Sequence, residues 1–337
     1  MKRIMIILLF TSIISSCIDT QNTLEREVTK FPKTKELIWD SYTIPNPILL
    51  PRAMFISNNH LIVYKQKDDY LFDIFTLEPF EYLFSAGIKG PGPADFGSLD
   101  ARSFIPSKKG FSVLESGSHL LKQVEISNTL KIVASEKIFD QHSASNGFYP
   151  LADDKYLMFG NIEDSNEYYI FNNQNKSMTG VSEYPEWTKD FEPFQRFILG
   201  IKNCVVHPKG HLYAAFYGRM KCIRIHNDNG DLLQDISVNI SPYIKKIAST
   251  HPDDLASYYL SPQATSKYIY VLCSNKNSEK APTPTQELQV WDWKGNPVIC
   301  YKLNKPVSLI TISEEHNTIY AIDQDDENQI YTHQLPL

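Results

Sequence analysis

The chain has 337 residues, of which 42% are hydrophobic, 12% aromatic and 21% charged. This composition supports a packed core and excludes wholesale disorder, a collagen-like structure and a multi-span membrane protein. The net charge is -6 and there is no basic run, so we expect no binding to nucleic acid through its phosphates. The 19 Tyr and 18 Phe against only 14 Gly favour strands over helices.

The first 17 residues have the pattern of an export signal that ends in a modified cysteine. Lys2 and Arg3 precede an apolar stretch over 4–14, which is too short to span a bilayer comfortably. The following Ile14–Cys17 (Ile-Ser-Ser-Cys) resembles the bacterial lipobox. We therefore predict a signal peptide over 1–16 and a lipidated Cys17, since more than one acyl chain gives stable anchoring.

The alternative is an ordinary signal peptide with a chance cysteine. A lipidated Cys17 predicts a protein of the bacterial cell envelope, and the sequence leaves open which membrane and which face it occupies. The stretch that follows is polar and lacks periodicity. We interpret residues 17–35 as a flexible tether of roughly 20 Å r.m.s. span, followed by a folded domain over 36–337.

The folded domain is built from a repeated unit. Six polar turns recur about 45–57 residues apart, and each precedes an apolar strand, a spacing typical of four-stranded propeller blades. The six strands are Leu61–Tyr64, Phe111–Leu114, Tyr156–Phe159, Leu212–Ala215, Tyr268–Val271 and Ile319–Ile322. In most repeats a hairpin follows, as at Ile223–His226 and Leu232–Gln234 around an Asn-Gly turn.

The sixth repeat contains three strands and the chain then stops at Leu337. An unpaired strand candidate, Leu37–Thr43, lies near the N-terminus and could supply the missing outer strand. This closure hides the edges between the first and last blades. The sequence therefore predicts an all-β, six-bladed β-propeller with four-stranded antiparallel blades, the last of them closed by an N-terminal strand. Two stacked sandwich domains are the alternative.

Two segments resemble a known family. Ser85–Phe96, with its Gly-Pro-Gly-Pro run, is similar to a "G-x-G-P-x-E-F" stretch of the TolB-like six-bladed propeller lipoproteins of bacteria, although Asp95 stands where Glu is usual. The stretch from Tyr258 to Pro297 is similar to the same family. The resemblance implies an exported propeller and implies little about its chemistry.

Four cysteines remain after Cys17, and an even count in an exported protein invites a disulfide interpretation. Cys204 and Cys222 fall on the first and third strands of one blade, and Cys273 and Cys300 on the second and fourth strands of the next. Non-adjacent strands lie about 9–10 Å apart, farther than a disulfide accepts. We therefore expect buried free thiols that act as small apolar residues.

Two connections between blades are candidate sites. The run Gly90–Pro93 lacks the Lys-Ser/Thr of a phosphate-binding loop and is better interpreted as a rigid link. This link runs toward an inner strand, so Asp95 and Phe96 are predicted near the mouth of the channel. The second connection is long and aromatic. Its candidate binding residues are Tyr184, Trp187, Phe191 and Phe194, since aromatic rings can stack on sugars or anchor a partner protein.

The same rings could instead form a plug that folds back over the propeller. The nine histidines show no metal-binding spacing, and the Asp-Asp pairs lack the spacing of a calcium loop, so no metal, cofactor or catalytic residue is predicted.

We expect a non-enzymatic binding or scaffold module that takes a protein or a glycan on one face of the ring. The alternative is a hydrolase or lyase whose acids meet at the channel, with Asp95 and Asp100 as contributors. A structural module in an envelope complex is a third possibility.

Overall fold

The computed structural model describes residues 24–139, 147–162, 164–244, 246–247, 249–278 and 284–335. The predicted signal peptide and Cys17 lie outside these residues. Within them, 26 strands form six sheets. In chain order the strands are β1 (Glu25–Val28), β2 (Thr34–Leu37), β3 (Asp40–Thr43), β4 (Pro51–Ser57), β5 (His60–Lys65), β6 (Tyr70–Thr76), β7 (Tyr82–Ile88), β8 (Ile105–Pro106), β9 (Gly110–Leu114), β10 (Leu120–Ile126), β11 (Leu130–Lys137), β12 (Phe148–Pro150), β13 (Lys155–Phe159), β14 (Asn166–Asn172), β15 (Ser177–Glu183), β16 (Lys202–Val206), β17 (Leu212–Tyr217), β18 (Cys222–Asn227), β19 (Leu232–Val238), β20 (Ser257–Ala264), β21 (Tyr268–Lys276), β22 (Glu287–Asp292), β23 (Pro297–Leu303), β24 (Leu309–Ser313), β25 (Thr318–Ile322) and β26 (Gln329–Gln334).

The sheets are the six blades of a propeller. Blades I, II and III are β4–β7, β8–β11 and β12–β15, and each is a four-stranded antiparallel meander. Blades IV and V contain β16–β19 and β20–β23, and blade VI contains β24–β26 together with β3. The inner strands β24 and β4 contact each other, so the last blade lies against the first. The predicted six-bladed propeller is confirmed.

The hydrophobic core is divided among the blade interfaces. Each of the six clusters of buried apolar residues in the described chain draws its members from two neighbouring blades. The cluster between blades VI and I, for example, joins Val63 and Phe75 to Tyr320 and Ile330. The central strand β5 is buried along most of its length because a neighbouring blade covers each of its faces, which explains its continuous apolar run.

The N-terminal strands also explain how the ring closes. β3 pairs antiparallel with β26, with Tyr42 opposite Ile330, and supplies the fourth strand of blade VI as predicted. The candidate Leu37–Thr43 is nevertheless divided between two blades. Leu37 ends β2, which pairs parallel with β23 of blade V, and Ile38 and Trp39 cross to blade VI.

The expectation of a flexible tether up to residue 35 is wrong for its last part. β1 pairs parallel with β19 as a fifth strand of blade IV, and β2 does the same on blade V. Both strands have only four residues, and a single side chain of each, Val28 and Leu37, is buried. β1 and β2 pair with the backbone edges that β19 and β23 would otherwise leave free. Such pairing does not require alternating apolar side chains, so the sequence pattern does not reveal it.

The cysteines and the helices complete the fold. Cys204, Cys222, Cys273 and Cys300 are free and buried, as predicted from their strand positions. The connection between blades III and IV contains a short 3-10 turn, Glu186–Thr188, and the helix α1 (Pro193–Leu199). A second 3-10 turn spans Pro252–Asp254. Among the residues placed by the structure, no helix is both long and apolar enough to cross a membrane.

Candidate functional site

A cavity of about 580 Å³ opens on the face of the ring that carries the connections from each outer strand to the next inner strand. We call it the mouth cavity. It is lined by blades I–IV and by the end of α1, and it adjoins a central channel of about 480 Å³ that all six inner strands line. Its wall combines charged and aromatic side chains, among them Arg52, Asp100, Arg102, His119, Phe139, Phe159, Tyr184, Phe197 and Lys202.

Two arginines lie where the cavity meets the channel. Arg52 is the second residue of the inner strand β4, and Arg102 lies just before the inner strand β8. Both line the cavity and the channel, and both are exposed. In the described part of the chain, neither guanidinium donates a hydrogen bond or forms an ion pair. The guanidinium of Arg102 lies 5.7 Å from the centre of the Phe159 ring, within the range of a cation–π contact.

Asp100 is the acidic group of the cavity wall, and its two carboxylate oxygens are both occupied. The backbone N–H of Arg102 donates to Oδ1 at 2.9 Å, and that of Gly147 donates to Oδ2 at 3.1 Å. The Asp100 carboxylate thereby stabilises the turn that contains Asp100 and Arg102. It also links this turn to Gly147, which lies directly before β12. This use as a turn acceptor does not favour the general-acid role that the enzyme hypothesis assigns to Asp100.

Lys202 also reaches the cavity, but its charge is compensated within the protein. Its ammonium lies 3.0 Å from the carboxylate of Glu167, which is fully buried between blades III and IV. Glu167 also receives hydrogen bonds from Arg224 at 2.9 Å and from the Tyr217 hydroxyl at 2.6 Å. The ring of Tyr168 lies 4.8 Å from the Lys202 ammonium. A buried charge requires partners of this kind to offset its lost hydration.

A second ion pair holds the connection that carries Asp100 and Arg102. Glu115 and Lys122 approach to 2.6 Å, and Lys122 also donates to the carbonyl of Asp95. The backbone N–H of Gly97 donates to Glu115 at 2.6 Å. Burial alone would raise the pKa of Glu115, but the Gly97 amide, Lys122 and Ser118 outweigh it and lower the pKa below its usual value. The connection is thus attached to blade II by a charged and fully hydrogen-bonded carboxylate.

The prediction that Asp95 and Phe96 lie at the channel mouth is wrong. Phe96 is buried in the apolar cluster between blades I and II, 5.3 Å from the Phe72 ring. The Asp95 carboxylate accepts the backbone N–H of Gly92 at 3.0 Å, and a Cβ at Gly90 would lie 2.4 Å from it. The motif is therefore a rigid link, as the turn chemistry indicates, but the Asp95 carboxylate lies against the glycines of the link itself, and Asp100 is the acid that lines the cavity.

The four aromatic residues of the second connection divide by position. Tyr184 is buried and lines the cavity wall, and Arg196 lies 5.5 Å from its ring centre. Trp187 and Phe191 pack against the cluster between blades III and IV, and the Trp187 ring lies 5.6 Å from Tyr217. Phe194 on α1 is 60% exposed. The plug interpretation therefore describes Trp187 and Phe191, whereas Tyr184 belongs to the cavity.

Sequence reasoning missed Arg52, Arg102 and the Phe159 ring as site residues. Arg52 and Arg102 lie at or beside inner strands, and the inner strands β8 and β12 have only two and three residues, so their apolar pattern is weak. One usable signal was present. Each inner strand directly follows a connection between blades. A cation at the start of an inner strand is therefore expected at the mouth of the channel.

Among the residues that the structure describes, no grouping of ligands for a metal ion occurs. Across these ranges, no three His, Cys, Asp or Glu side chains come together in a way that could hold an ion. The described part of the cavity wall contains one carboxylate and one histidine, Asp100 and His119. Guanidinium groups beside aromatic rings are suited to holding an anionic or polar ligand rather than to moving protons.

Comparison with known proteins supports the architecture. The model of a family described as TolB-like 6-blade propeller-like matches residues 28–315. A member of the DUF4221 family from Bacteroides vulgatus has a structure with a TM-score of 0.61 and 11% identity, covering 87% of this chain and 95% of that one. A Bacteroides fragilis protein whose name proposes that it is exported gives 0.53 and 11%, with 92% and 99% covered. No curated protein matches the chain. At these identities the structural likeness concerns the fold alone.

Proposed function

Because the chain belongs to the TolB-like six-bladed propeller family, we propose that it is a non-enzymatic binding module whose ligand, a glycan or part of a protein, enters the mouth cavity. The observation that carries the proposal is the cavity of about 580 Å³, whose wall combines exposed guanidinium groups with aromatic rings. Its volume lies in the range of about 300–1,000 Å³ that is usual for ligand sites. The strands and ion pairs hold the wall in place, so little conformational entropy is lost on binding.

The aromatic connection contributes to this surface in our proposal. Tyr184 forms part of the wall, and the exposed Phe194 stands on α1, the helix whose Phe197 lines the cavity. Trp187 and Phe191 support the connection from beneath through their contacts with blade IV. Truncating Phe194 therefore removes a contact surface, whereas truncating Trp187 removes part of the core.

We place the protein in the bacterial cell envelope, held to a membrane by lipid on Cys17. The lipobox supports this, and the structural relative named as exported is consistent with it. Leu24 is the first described residue, and seven peptide steps from Cys17 cover at most about 25 Å. In this arrangement the ring stays within a short reach of the lipid surface, because β1 fixes the chain to the edge of blade IV.

The proposal is tested by closing the cavity. Ala101 lines both the cavity and the channel, so Ala101→Trp fills the junction between them. We expect the wild-type protein to bind members of a glycan and peptide array, and Ala101→Trp to lose that binding. Lys131→Trp, on the exposed outer strand β11, is the matched control and should bind as the wild type does.

Thermal unfolding of the three proteins shows whether the substitution has disturbed the fold. Array binding that Ala101→Trp retains in full, with an unchanged unfolding temperature, would place the ligand elsewhere and overturn the proposal. Turnover of an array ligand by the wild-type protein would overturn its non-enzymatic part.

A further inference from the structure

Among the described residues, the formal charges on the wall of the mouth cavity leave an excess of one positive charge. These charges are the cations Arg52, Arg102 and Lys202 and the anion Asp100. Lys202 is compensated by Glu167, which lies 3.0 Å away and is fully buried. Asp100 offsets one of the two arginines, so a single positive charge remains for a ligand. A monoanion restores neutrality at this position, whereas a doubly charged phosphate ester exceeds it.

The positive groups lie where the cavity adjoins the channel. Arg52 and Arg102 line both the cavity and the channel, so a ligand that fills the cavity brings its deepest end to them. The planar guanidinium fork matches a carboxylate through two parallel hydrogen bonds. No described residue forms a hydrogen bond or an ion pair with either guanidinium, and the contact of Arg102 with the Phe159 ring leaves its N–H groups free, so both can donate to a carboxylate.

The remaining wall indicates what carries that carboxylate. The rings of Phe139, Phe159, Tyr184 and Phe197 give the wall an aromatic lining, and Gln66 and Ser116 add polar groups that donate and accept. A sugar ring has apolar C–H faces and hydroxyl groups that both donate and accept.

The size of the site agrees with a small ligand. Sites for small ligands have volumes of about 300–1,000 Å³, and the cavity of about 580 Å³ lies within this range. From charge, donor geometry, aromatic surface and size together, we infer that the mouth cavity binds a sugar acid, a saccharide unit with one carboxylate, and that Arg52 and Arg102 hold this carboxylate. The inference rests on the proposed function and names its ligand class.

The test compares the acid with matched neutral sugars. Isothermal titration calorimetry of the full mature protein is carried out with galacturonic, glucuronic and N-acetylneuraminic acids, with their methyl esters and with galactose. We expect at least one acid to bind, and its ester to bind roughly tenfold or more weakly, since a hydrogen bond to a charged group is lost. Arg52→Gln and Arg102→Gln should each weaken binding of the acid by a similar factor and leave the unfolding temperature unchanged.

Lys131→Gln is the control, because it removes an exposed cation from β11, away from the cavity. Equal binding of acid and ester, or acid binding that neither arginine substitution weakens, would overturn the inference. The inference would also be overturned if none of the three acids binds. It would equally be overturned if the protein binds a short peptide through its terminal carboxylate and binds no sugar acid. The proposed function fails separately, when Ala101→Trp leaves all array binding intact.

Discussion

Glu167 and His226 are two buried polar residues between blades III and IV, and their surroundings determine which of them is charged. Glu167 is fully buried and accepts from Lys202, Arg224 and Tyr217, so its charge is compensated on every side. His226 is equally buried but is kept neutral. Its ring stacks on Tyr213 at 4.7 Å with an angle of 2° between the planes. Burial, with Arg224 nearby, lowers the pKa of His226 to about 3.

His226 predicts an acid sensitivity of the fold. The unfolded chain takes up a proton at His226 below about pH 6.5, while the folded protein does not until about pH 3. The contribution of this residue to stability is therefore present above pH 6.5 and falls by about 1.4 kcal/mol per pH unit as the pH decreases through that window. Urea unfolding of the wild type and of His226→Phe at several pH values measures the slope.

We expect His226→Phe to flatten the pH dependence between pH 6 and 4, whatever its effect on stability at pH 7. His211→Phe is the matched control, because His211 lies on an exposed turn and its ring bonds Asp228 there. An unchanged slope in His226→Phe would show that His226 takes up its proton in the folded state at an ordinary pH.

At the scale of elements, the N-terminal segment joins three blades by edge pairing. β1, β2 and β3 lie on the outer edges of blades IV, V and VI in turn. Between β2 and β3, Trp39 is only 8% exposed and packs into the cluster between blades V and VI. Its indole N–H donates to the carbonyl of Lys305 at 3.2 Å, and its backbone N–H donates to Asn304. The segment thereby holds the closing blade to its neighbour.

Truncating Trp39 should therefore destabilise the whole ring. Trp39→Ala removes a buried ring and a hydrogen bond, and we expect a loss of about 3–5 kcal/mol in the free energy of unfolding. The neighbouring Ile38 is 62% exposed, and Ile38→Ala should change that free energy by no more than about 0.5 kcal/mol. Urea denaturation followed by circular dichroism compares the two. Equal stabilities would show that closure does not depend on this crossing.

At the scale of the whole molecule, the ring isolates its cysteines from solvent. Cys204, Cys222, Cys273 and Cys300 are all buried within blades IV and V. Burial is the first cause of the raised pKa of each thiol, which reaches about 12 for Cys204, Cys273 and Cys300. Since the thiolate is the reactive form, we expect these buried side chains to be unreactive in the folded protein. Cys17 precedes the described strands and is the cysteine to which we assign acylation.

The proposed acylation of Cys17 gives a prediction for the protein in its native cell. Metabolic labelling with an alkyne-bearing fatty acid should mark the wild-type protein and place it in the membrane fraction. Cys17→Ser should lose the label and leave that fraction, because no acyl chain then provides the membrane affinity. Cys204→Ser is the matched control and should keep both. A label that persists in Cys17→Ser would exclude Cys17 as the acylated residue.

The candidate site was accessible to sequence reasoning only in part. The long aromatic connection was identified, and Tyr184 does line the cavity. Asp95 and Phe96 were predicted at the channel mouth in error. A shift of one residue within a tight turn changes which side chains face the core and which face the cavity. The turn stabilised by Asp95 directs Phe96 into the core, and the next turn brings Asp100 and Arg102 to the wall.

The sequence alone determined the repeat, the number of blades, the closing strand and the unpaired cysteines, because strand alternation and turn residues are local and recur in every blade. Only the tertiary structure decided that β1 and β2 pair with the edges of blades IV and V, and that Arg52 and Arg102 both line the channel. Edge pairing is made by backbone groups, which every residue carries, so four-residue strands leave little trace in side-chain pattern. The mouth cavity joins residues that are distant in the chain, and their meeting follows from the geometry of the ring.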